Sequence, residues 1–406
     1  MPERANPKLR AIQVQPAVHQ GQQGVVLADP LGITEAGLFV PAALAPILPL
    51  IDGTRDLGTL RTGFELRTGI PLSPGAVQRL ISELDASMFL DNANFADALE
   101  AATREYRQAK SRTPVMAGRS CPGDPQELAA MLQGYLDAAG ETPGPPAEIK
   151  GLISPHIDFP RGGPVYGGAW AAAAPAVKSA DLIVILGTDH NGGEGEITVT
   201  RQSYETPWGI VPTDQEAVDR IAVLAGEDTV FKGELRHRGE HSVEAALIWA
   251  HYLRREKPPH VLPILCGSFE SFIRQGVSPS AAGAIPAIVE ALRETVNRRR
   301  TIVVAAADLA HVGPVFGDLQ PLDLATRARL EAQDRRLLDV LQQADPEAFL
   351  AEIKADGDQR RICGIPPIYI LLAVLTGTKG SVTGYAQCPA SPDGGSIVSI
   401  CGMVYH

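Results

Sequence analysis

Three apolar runs along the chain end in polar, chemically active side chains. The run at residues 182–186 is unbroken and partly β-branched, and it is followed by Thr188, Asp189 and His190. An apolar run this short and without polar alternation is typical of a strand covered on both faces. Residues 149–153 and 301–307 repeat the pattern, and they lead into a histidine and into an aspartate followed by a histidine. The pattern predicts several central strands of one α/β sheet.

The polar residues after these strands define a candidate site. Parallel strands bring their carboxyl ends to the same edge of a sheet, which is where open α/β folds bind ligands. His156, His190 and the pair Asp308 and His311 all stand at such ends. Neutral imidazole with carboxylate is a common ligand set for iron, zinc or copper. The sequence therefore predicts a mononuclear metal site.

The first part of the chain, residues 1–99, is predicted to form a separate small domain. Short extended segments at 13–15 and 24–29 precede an apolar segment of helical spacing at 41–50. Helices are predicted over 57–68 and 73–86, the second with Ser73 as N-cap and Pro74 at its first position. A returning strand is expected to begin at Met88. Residues 100–114 are interpreted as a helical connector to a second domain at 115–406.

Further helix signals occur in the second domain. Asp124, Pro125 and Glu127 have the order of a capped helix start, and an amphipathic surface helix is predicted over 325–343. His241 opens a helix beginning at Ser242, whose N-terminus disfavours imidazolium. These helices would cover the sheet on both faces.

Composition narrows the function classes. The chain has 406 residues, 45% of them hydrophobic and 20% charged, which suits a soluble globular protein with a large core. A net charge of −11 argues against general binding to nucleic acid or to an anionic membrane. The absence of a long apolar run or an apolar leader makes the cytoplasm the expected location. The five cysteines lack CxxC spacing, so neither a disulfide framework nor a cysteine zinc site is predicted.

A series of motifs in the second domain carries a family resemblance. In chain order they are MAGRSCPGDP at 116–125, SPHIDF at 154–159, GPV at 163–165, LGTDH at 186–190, YETPWG at 204–209, EHSVE at 240–244, LPILCG at 262–267, DLAH at 308–311, CG at 363–364 with Pro366, and SIVSICG at 396–402. The set resembles the Memo family, also known as protein B of the AmmeMemoRadiSam systems. The resemblance covers residues 115–406.

The resemblance implies a fold and a class of chemistry. Memo proteins are similar in fold to class III extradiol dioxygenases of the LigB type, α/β enzymes that hold non-haem iron through two histidines and an acidic residue. It implies an α/β sandwich around a mixed or mostly parallel central sheet, with iron(II) as the expected metal and copper or zinc as alternatives. A non-haem iron enzyme with dioxygenase-like redox chemistry on a small-molecule or peptide substrate is the leading expectation. The alternative is a metal-binding scaffold that works with radical-SAM and AMMECR-type partner proteins.

One position departs from the family pattern. Some relatives carry a cysteine ligand just before the histidine of the DxxH-like motif, where this chain has Ala310. The third ligand is then expected among His311, Asp308 and His241. We assign His156, His190 and His311 as predicted metal ligands, and His241 and Asp308 as predicted catalytic residues.

Neighbouring residues have two interpretations each. Asp158 would fix the tautomer of His156 or be a surface carboxylate, and Glu240 and Glu244 would orient His241 or only interact with the helix dipole. Cys363 would line the site or be one more buried thiol. Arg360 and Arg361 would bind an anionic substrate or be ordinary surface residues.

The N-terminal domain has a weaker resemblance. Its order of elements is similar to winged-helix modules of the PqqD-like kind, which bind precursor peptides in some peptide-modifying systems. The segment at 73–86 carries Arg79 as its only cation, so protein is a more suitable ligand than DNA. Packing or dimerisation is the alternative use of this domain.

Overall fold

The computed structural model describes residues 6–34, 37–140 and 148–406. The chain divides into two compact units, Met1–Gln108 and Ala109–His406. The division lies inside the segment 100–114 predicted as a connector. Each unit has its own core and is described by itself.

The first unit combines a small antiparallel sheet with helices. The strands pair in the order β1, β2, β3. Apolar residues such as Leu27, Val40 and Phe64 are fully buried between the sheet and the helices. The elements are β1 (Gln13–His19), β2 (Gln22–Ala28), β3 (Leu38–Pro41), a 3-10 helix (Ala45–Leu50), α1 (Leu57–Thr68), α2 (Pro74–Ala86) and α3 (Ala93–Gln108).

The predicted helices of this unit are confirmed, with one modification. The segment at 41–50 forms only the six-residue 3-10 helix, because Pro46 and Pro49 cannot donate the hydrogen bonds of a regular α-helix. The strand expected from Met88 is reduced, within the described residues, to a single antiparallel bridge between Leu90 and Leu9. Strand β3 was not predicted, since its four residues carry too little alternation to be recognised. The winged-helix relationship stays a prediction.

The second unit is an α/β sandwich. Its strands are β4 (Gly151–Ser154), β5 (Leu182–Thr188), β6 (Ile197–Val199), β7 (Tyr204–Thr206), β8 (Gly209–Val211), β9 (His260–Cys266), β10 (Thr301–Ala306), β11 (His311–Val312), β12 (Gly380–Pro389) and β13 (Ile397–Tyr405). Its α-helices are α4 (Pro125–Ala139), α5 (Phe159–Ser179), α6 (Gln215–Ala225), α7 (Glu227–Val230), α8 (Ser242–Leu253), α9 (Glu270–Gln275), α10 (Ile285–Arg298), α11 (Leu324–Leu341), α12 (Pro346–Asp356) and α13 (Ile365–Val374). Short 3-10 helices occupy Glu234–Arg238, Pro279–Ala281 and Pro314–Phe316.

The central sheet is mixed. Within residues 148–406 it has eight strands: seven in the order β11, β13, β4, β10, β5, β9, β6, and β12, which pairs along the whole length of β13. The four middle strands, β4, β10, β5 and β9, are parallel, and the strands outside them are antiparallel to their neighbours. Ala306 of β10 is in register with Ser154 of β4 and Gly187 of β5. The residues just after these positions therefore share one edge of the sheet.

Both faces of the sheet are covered, as the unbroken apolar runs predict. In β5, Leu182, Val184 and Leu186 join the core on one face, and Ile183 and Ile185 join the core on the other. One layer contains α10 and α13, and the opposite layer contains α5 and α8. This layering fixes the strand ends from which the candidate site is built.

Aspartate N-caps begin several helices of this unit. The Asp124 carboxylate accepts hydrogen bonds from the backbone N–H groups of Gln126 and Glu127, which confirms the predicted start of α4. Asp158 caps α5 in the same way, by accepting from Arg161. It is thus a helix cap, and its interpretation as the partner of His156 is wrong. No helix in the described residues has the length and apolarity to cross a membrane.

Candidate metal centre

His156 is the buried member of the site. It follows β4 after Pro155, and only 2% of its surface is exposed. Its ring Nδ1 lies 3.0 Å from the carbonyl oxygen of Ala306 at the end of the neighbouring strand β10. A carbonyl oxygen can only accept, so Nδ1 carries the proton and donates. In the neutral ring, Nε2 keeps its lone pair and can bind a metal.

His190 is oriented by a carboxylate. Its Nδ1 lies 2.9 Å from Oε2 of Glu240, and its backbone N–H donates to the same oxygen at 3.1 Å. Although burial opposes ionisation, His190 and His241 hold the pKa of Glu240 well below its usual value. Glu240 is therefore an acceptor, which places the ring proton of His190 on Nδ1. Its Nε2 is the nitrogen left for a metal.

The other carboxylate oxygen of Glu240 serves His241. This Oε1 lies 3.1 Å from Nδ1 of His241 and accepts the backbone N–H groups of His241 at 2.8 Å and Ser242 at 2.9 Å. Glu240 is itself buried, at the start of α8. One carboxylate thus sets the tautomer of two histidines and also accepts backbone N–H groups at the start of the helix.

The three imidazoles converge. The rings of His190 and His241 stack with centroids 5.1 Å apart and an angle of 14°, and the ring of His156 meets both edge-on at 5.2 and 5.5 Å. One ligand atom from each ring lies within 4.8 Å of the others. The side chains of His190 and His241 are 36% and 44% exposed, so the group opens to solvent on one side. Such a group suits a metal that keeps positions for exogenous ligands.

A thiol adjoins the histidines. Sγ of Cys363 lies 3.5 Å from Nε2 of His156, just before α13. Although burial opposes ionisation, His156 and His190 lower the pKa of the Cys363 thiol to about 5. His156 has the reciprocal shift, since Asp308 and Cys363 outweigh burial and raise its pKa to about 9. A thiolate ready to bind a cation is therefore available beside Nε2.

Asp308 fixes the backbone of the His156 segment. Its Oδ1 accepts the N–H groups of His156 at 2.9 Å and Ile157 at 3.3 Å, and its Oδ2 lies 3.7 Å from Nε2 of His156. Its carbonyl oxygen accepts the N–H of Gly364 at 3.1 Å, which holds the Cys363 segment against it. Asp308 therefore positions the buried histidine and the thiol together.

His311 is not part of the three-histidine group, which differs from the predicted ligand set. Its Nδ1 lies 3.0 Å from the carbonyl oxygen of Leu309, and its ring packs edge-on against Phe316. The residue begins the edge strand β11, where its backbone pairs with β13. Strand pairing thus fixes this segment in the sheet, and His241 is the third histidine grouped with His156 and His190. Ala310 is buried in a small apolar cluster, and the nearby thiol comes from Cys363 instead.

Other charged candidates have structural partners. The fully buried Glu244 pairs with the guanidinium of Arg112 and accepts the N–H groups of Val115 and Met116, so its interpretation as a partner of His241 is wrong. Arg360 is buried and pairs with Asp334 at 3.0 Å.

Glu240 and Cys363 were the residues whose importance was underestimated. The sequence carried a signal for each of them. Glu240 stands directly before the predicted site residue His241, and Cys363 stands directly before Gly364, a glycine that allows close packing.

The donor set fits a borderline metal ion. Three imidazole nitrogens with a neighbouring thiolate suit iron, copper or zinc better than magnesium or calcium, which prefer oxygen. The tautomers of all three rings are set by oxygen acceptors, which come from other segments for His156 and His190 and from the preceding residue for His241; such acceptors are usual around histidine ligands. The geometry therefore supports a metal ion, and it does not select among these three metals.

Comparison with known proteins agrees with the motifs. Residues 112–404 match the family described as Memo-like protein. A MEMO1 family protein of Aquifex aeolicus is 27% identical over 403 residues, which is 98% of this chain and 100% of that protein. MEMO1 family proteins of Thermus thermophilus and Methanopyrus kandleri are 29% and 26% identical, over 69% and 73% of this chain and 78% and 99% of their own lengths. The chain belongs to the Memo-like protein family.

Proposed function

We propose that this protein is a mononuclear metal protein whose ion is held by Nε2 of His156, His190 and His241. The observation that carries the proposal is the contact that Nδ1 makes in each of the three rings. Each Nδ1 faces an oxygen acceptor, the carbonyl of Ala306 or the carboxylate of Glu240. Since the raised pKa of His156 keeps a proton on its Nε2 in the ion-free protein, a metal ion would displace that proton and bind three Nε2 atoms that lie close together.

The proposed metal is iron(II), with copper and zinc as alternatives. When bound with open positions, iron(II) would supply dioxygenase-like redox chemistry, as in the LigB-type enzymes that the motifs resemble. The chain contributes a buried side formed by His156 and Asp308 and an open side formed by His190 and His241. The thiolate of Cys363 adjoins Nε2 of His156 on the buried side, where its negative charge would stabilise a bound cation.

His241 has two uses in this proposal. Its Nδ1–H is held by Glu240, so Nε2 can either bind the metal or accept a proton from a substrate hydroxyl. The variant His241→Ala separates the two. Loss of metal assigns His241 as a ligand, and retained metal with lost turnover assigns it to proton transfer.

A second candidate is a metal-binding scaffold without turnover of its own. The observation in its favour is the separate N-terminal unit, which has its own core and whose edge strand β1 exposes Val14 and Val18. In this proposal the unit docks a peptide or a radical-SAM or AMMECR-type partner. Stoichiometric metal with no oxygen consumption would favour this function.

The decisive experiment is metal analysis of protein purified without oxygen, followed by oxygen uptake on a panel of catechols. We expect about one metal ion per chain in the wild type and at least a tenfold loss in His156→Ala and His190→Ala, since each removes one of three ligands. His260→Ala is the matched control, because this exposed histidine lies at the start of β9, at the opposite end of the sheet strands. Equal metal content in all four proteins would refute the metal centre.

A further inference from the structure

A cavity extends from the metal centre between α9 and the segment that leads to α13. Its volume is about 440 Å³, and His190 and Cys363 form part of its wall. Phe269, Ile273 and Ile365 line it with apolar surface. This volume is in the range of pockets that bind small molecules, about 300–1,000 Å³. A molecule in the cavity would lie directly beside the histidines.

Most charges on the cavity wall are already compensated. Asp189 pairs with Arg236 at 2.6 Å, and Glu270 pairs with Arg274 at 2.5 Å. Arg361 pairs with Asp318 at 2.5 Å and also donates to the carbonyl oxygen of His311. The two arginines of the wall therefore have carboxylate partners, which weakens their attraction for an anionic ligand.

Asp358 is the exception. Among the described residues no ion pair involves its carboxylate, which accepts the backbone N–H of Ile362 at 2.9 Å. The neighbouring cation, Arg360, is buried in pairs with Asp334 and Asp356. Burial raises the pKa of Asp358 to about 6, so the carboxylate is still ionised near neutral pH. The uncompensated charge of the cavity wall is thus negative.

The turn that presents Asp358 contains two left-handed residues. Asp358 and Arg361 both have φ near 52°, a conformation that aspartate adopts more readily than most residues, so the backbone strain falls mainly on Arg361. The N–H groups of Asp358 and Arg361 are bonded to Ile353 and Asp358, which stabilises the turn. Strain of this kind tends to occur where a side chain must be held for a ligand.

We propose that this cavity binds a small primary amine with an aromatic or branched aliphatic body, its ammonium pairing with Asp358 and its body contacting Phe269 and Ile273. The inference rests on the proposed function, because it makes this amine the substrate class of the metal centre. An anionic molecule has no uncompensated cation to meet on the wall. A neutral apolar molecule would further bury the Asp358 carboxylate without giving it a cation, which disfavours it.

The test compares three ligands of one shape: phenethylamine, 2-phenylethanol and 3-phenylpropanoate. Calorimetric titration of the metal-free and the zinc-loaded full-length protein measures the dissociation constant of each. We expect the amine to bind at least about tenfold more tightly than the alcohol or the acid in both forms, as a charge-assisted hydrogen bond in a partly buried site provides. Equal affinity for the three ligands would overturn the proposal.

Three variants locate the interaction. Asp358→Asn keeps the left-handed turn and the acceptor for Ile362 but removes the charge, so it should abolish the preference for the amine. Glu270→Gln, which removes an already paired carboxylate of the same wall, should retain the preference. Ile273→Ala should weaken all three ligands alike, because it removes apolar contact. An unchanged preference in folded Asp358→Asn would overturn the assignment.

The two proposals fail separately. Loss of metal binding in the histidine variants tests the metal centre and does not involve Asp358. Amine preference in metal-free protein tests the cavity and does not require the metal. Normal metal binding without amine preference would refute only the substrate class. Amine preference without metal binding would refute the metal centre and the amine's role as its substrate, and would leave amine binding by the cavity.

Discussion

Replacing Glu240 by glutamine is the most informative perturbation of the proposed metal centre. The carboxylate receives five donors: the ring Nδ1–H and backbone N–H of His190, the same two groups of His241, and the backbone N–H of Ser242. Glutamine has nearly the same shape but replaces one oxygen by an NH₂ group. In either orientation of the amide, the NH₂ group then faces at least two of these donors.

The expected consequence is a change of tautomer. An amide N–H next to Nδ1 of a histidine favours the form in which Nδ1 accepts and Nε2 carries the proton. The affected ring then has no lone pair directed at the metal. Loss of such an outer partner typically weakens metal binding about 10- to 100-fold. This corresponds to about 1.4–2.8 kcal/mol.

The assay is a competition titration against a chromophoric chelator, with zinc in air and iron(II) without oxygen. Glu244→Gln is the matched control, because it changes another buried glutamate only four residues along the chain, in the first turn of α8, whose partners are Arg112, Val115 and Met116. It should reduce the free energy of unfolding without a comparable loss of metal affinity. Circular dichroism checks that both variants fold. A dissociation constant within about twofold of wild type in folded Glu240→Gln would refute the tautomer argument.

Three further predictions concern the surroundings of the site. First, Cys363 in metal-free protein should be a thiolate above a pKa of about 5 and a thiol below it, measured by ultraviolet absorbance during a pH titration. Second, Arg112→Met should reduce the free energy of unfolding by about 3–5 kcal/mol in urea denaturation, because it leaves Glu244 buried without its cation. Third, Gly187→Ala should lower both the melting temperature and the metal affinity. Its new Cβ would lie 2.6 Å from Oγ of Ser242 and would push the start of α8 away from β5, at a cost of about 1–3 kcal/mol.

Each of these predictions has a control. Cys363→Ser should remove the low-pH transition of the thiolate, since burial raises the pKa of the other cysteines. A midpoint near the ordinary thiol value would contradict the first prediction. Metal content should survive in Arg112→Met at temperatures where the variant is folded. Gly134→Ala, where nothing lies within 4 Å of the added carbon, should bind metal normally. Normal binding in Gly187→Ala as well would contradict the third prediction.

The sequence predicted the elements whose signals are local. The apolar run at 182–186 is typical of a strand covered on both faces, and the aspartate at 124 with Pro125 marked the start of α4. His156 and His190 were predicted to meet because parallel strands end at one edge, and their rings lie 5.2 Å apart. Here a rule about topology was sufficient to connect distant residues.

The parts that were not predicted depend on pairing between distant segments. His311 follows β10 just as a ligand would, but β11 pairs with β13 near the end of the chain, which no local pattern reveals. Glu240 was assigned at most to its neighbour His241, and its bond to His190 exists only because Ser242 at the start of α8 packs against the end of β5. Cys363 reaches His156 because Gly364 packs against the backbone of Asp308; the glycine marks a close contact in the sequence but does not identify the distant segment it meets.

The same pairing determines how the centre can respond to an ion. Two nitrogens bonded to one zinc ion at about 2.0–2.1 Å are at most about 4.2 Å apart, whereas the ligand atoms are known here to lie within 4.8 Å. His156 is buried and held from both sides by Ala306 and Asp308, so it has little freedom to move. His190 and His241 are stacked, partly exposed and joined through Glu240. Whatever contraction an ion requires therefore falls on these two rings as a pair. The residue that sets their tautomers also controls their approach to the metal.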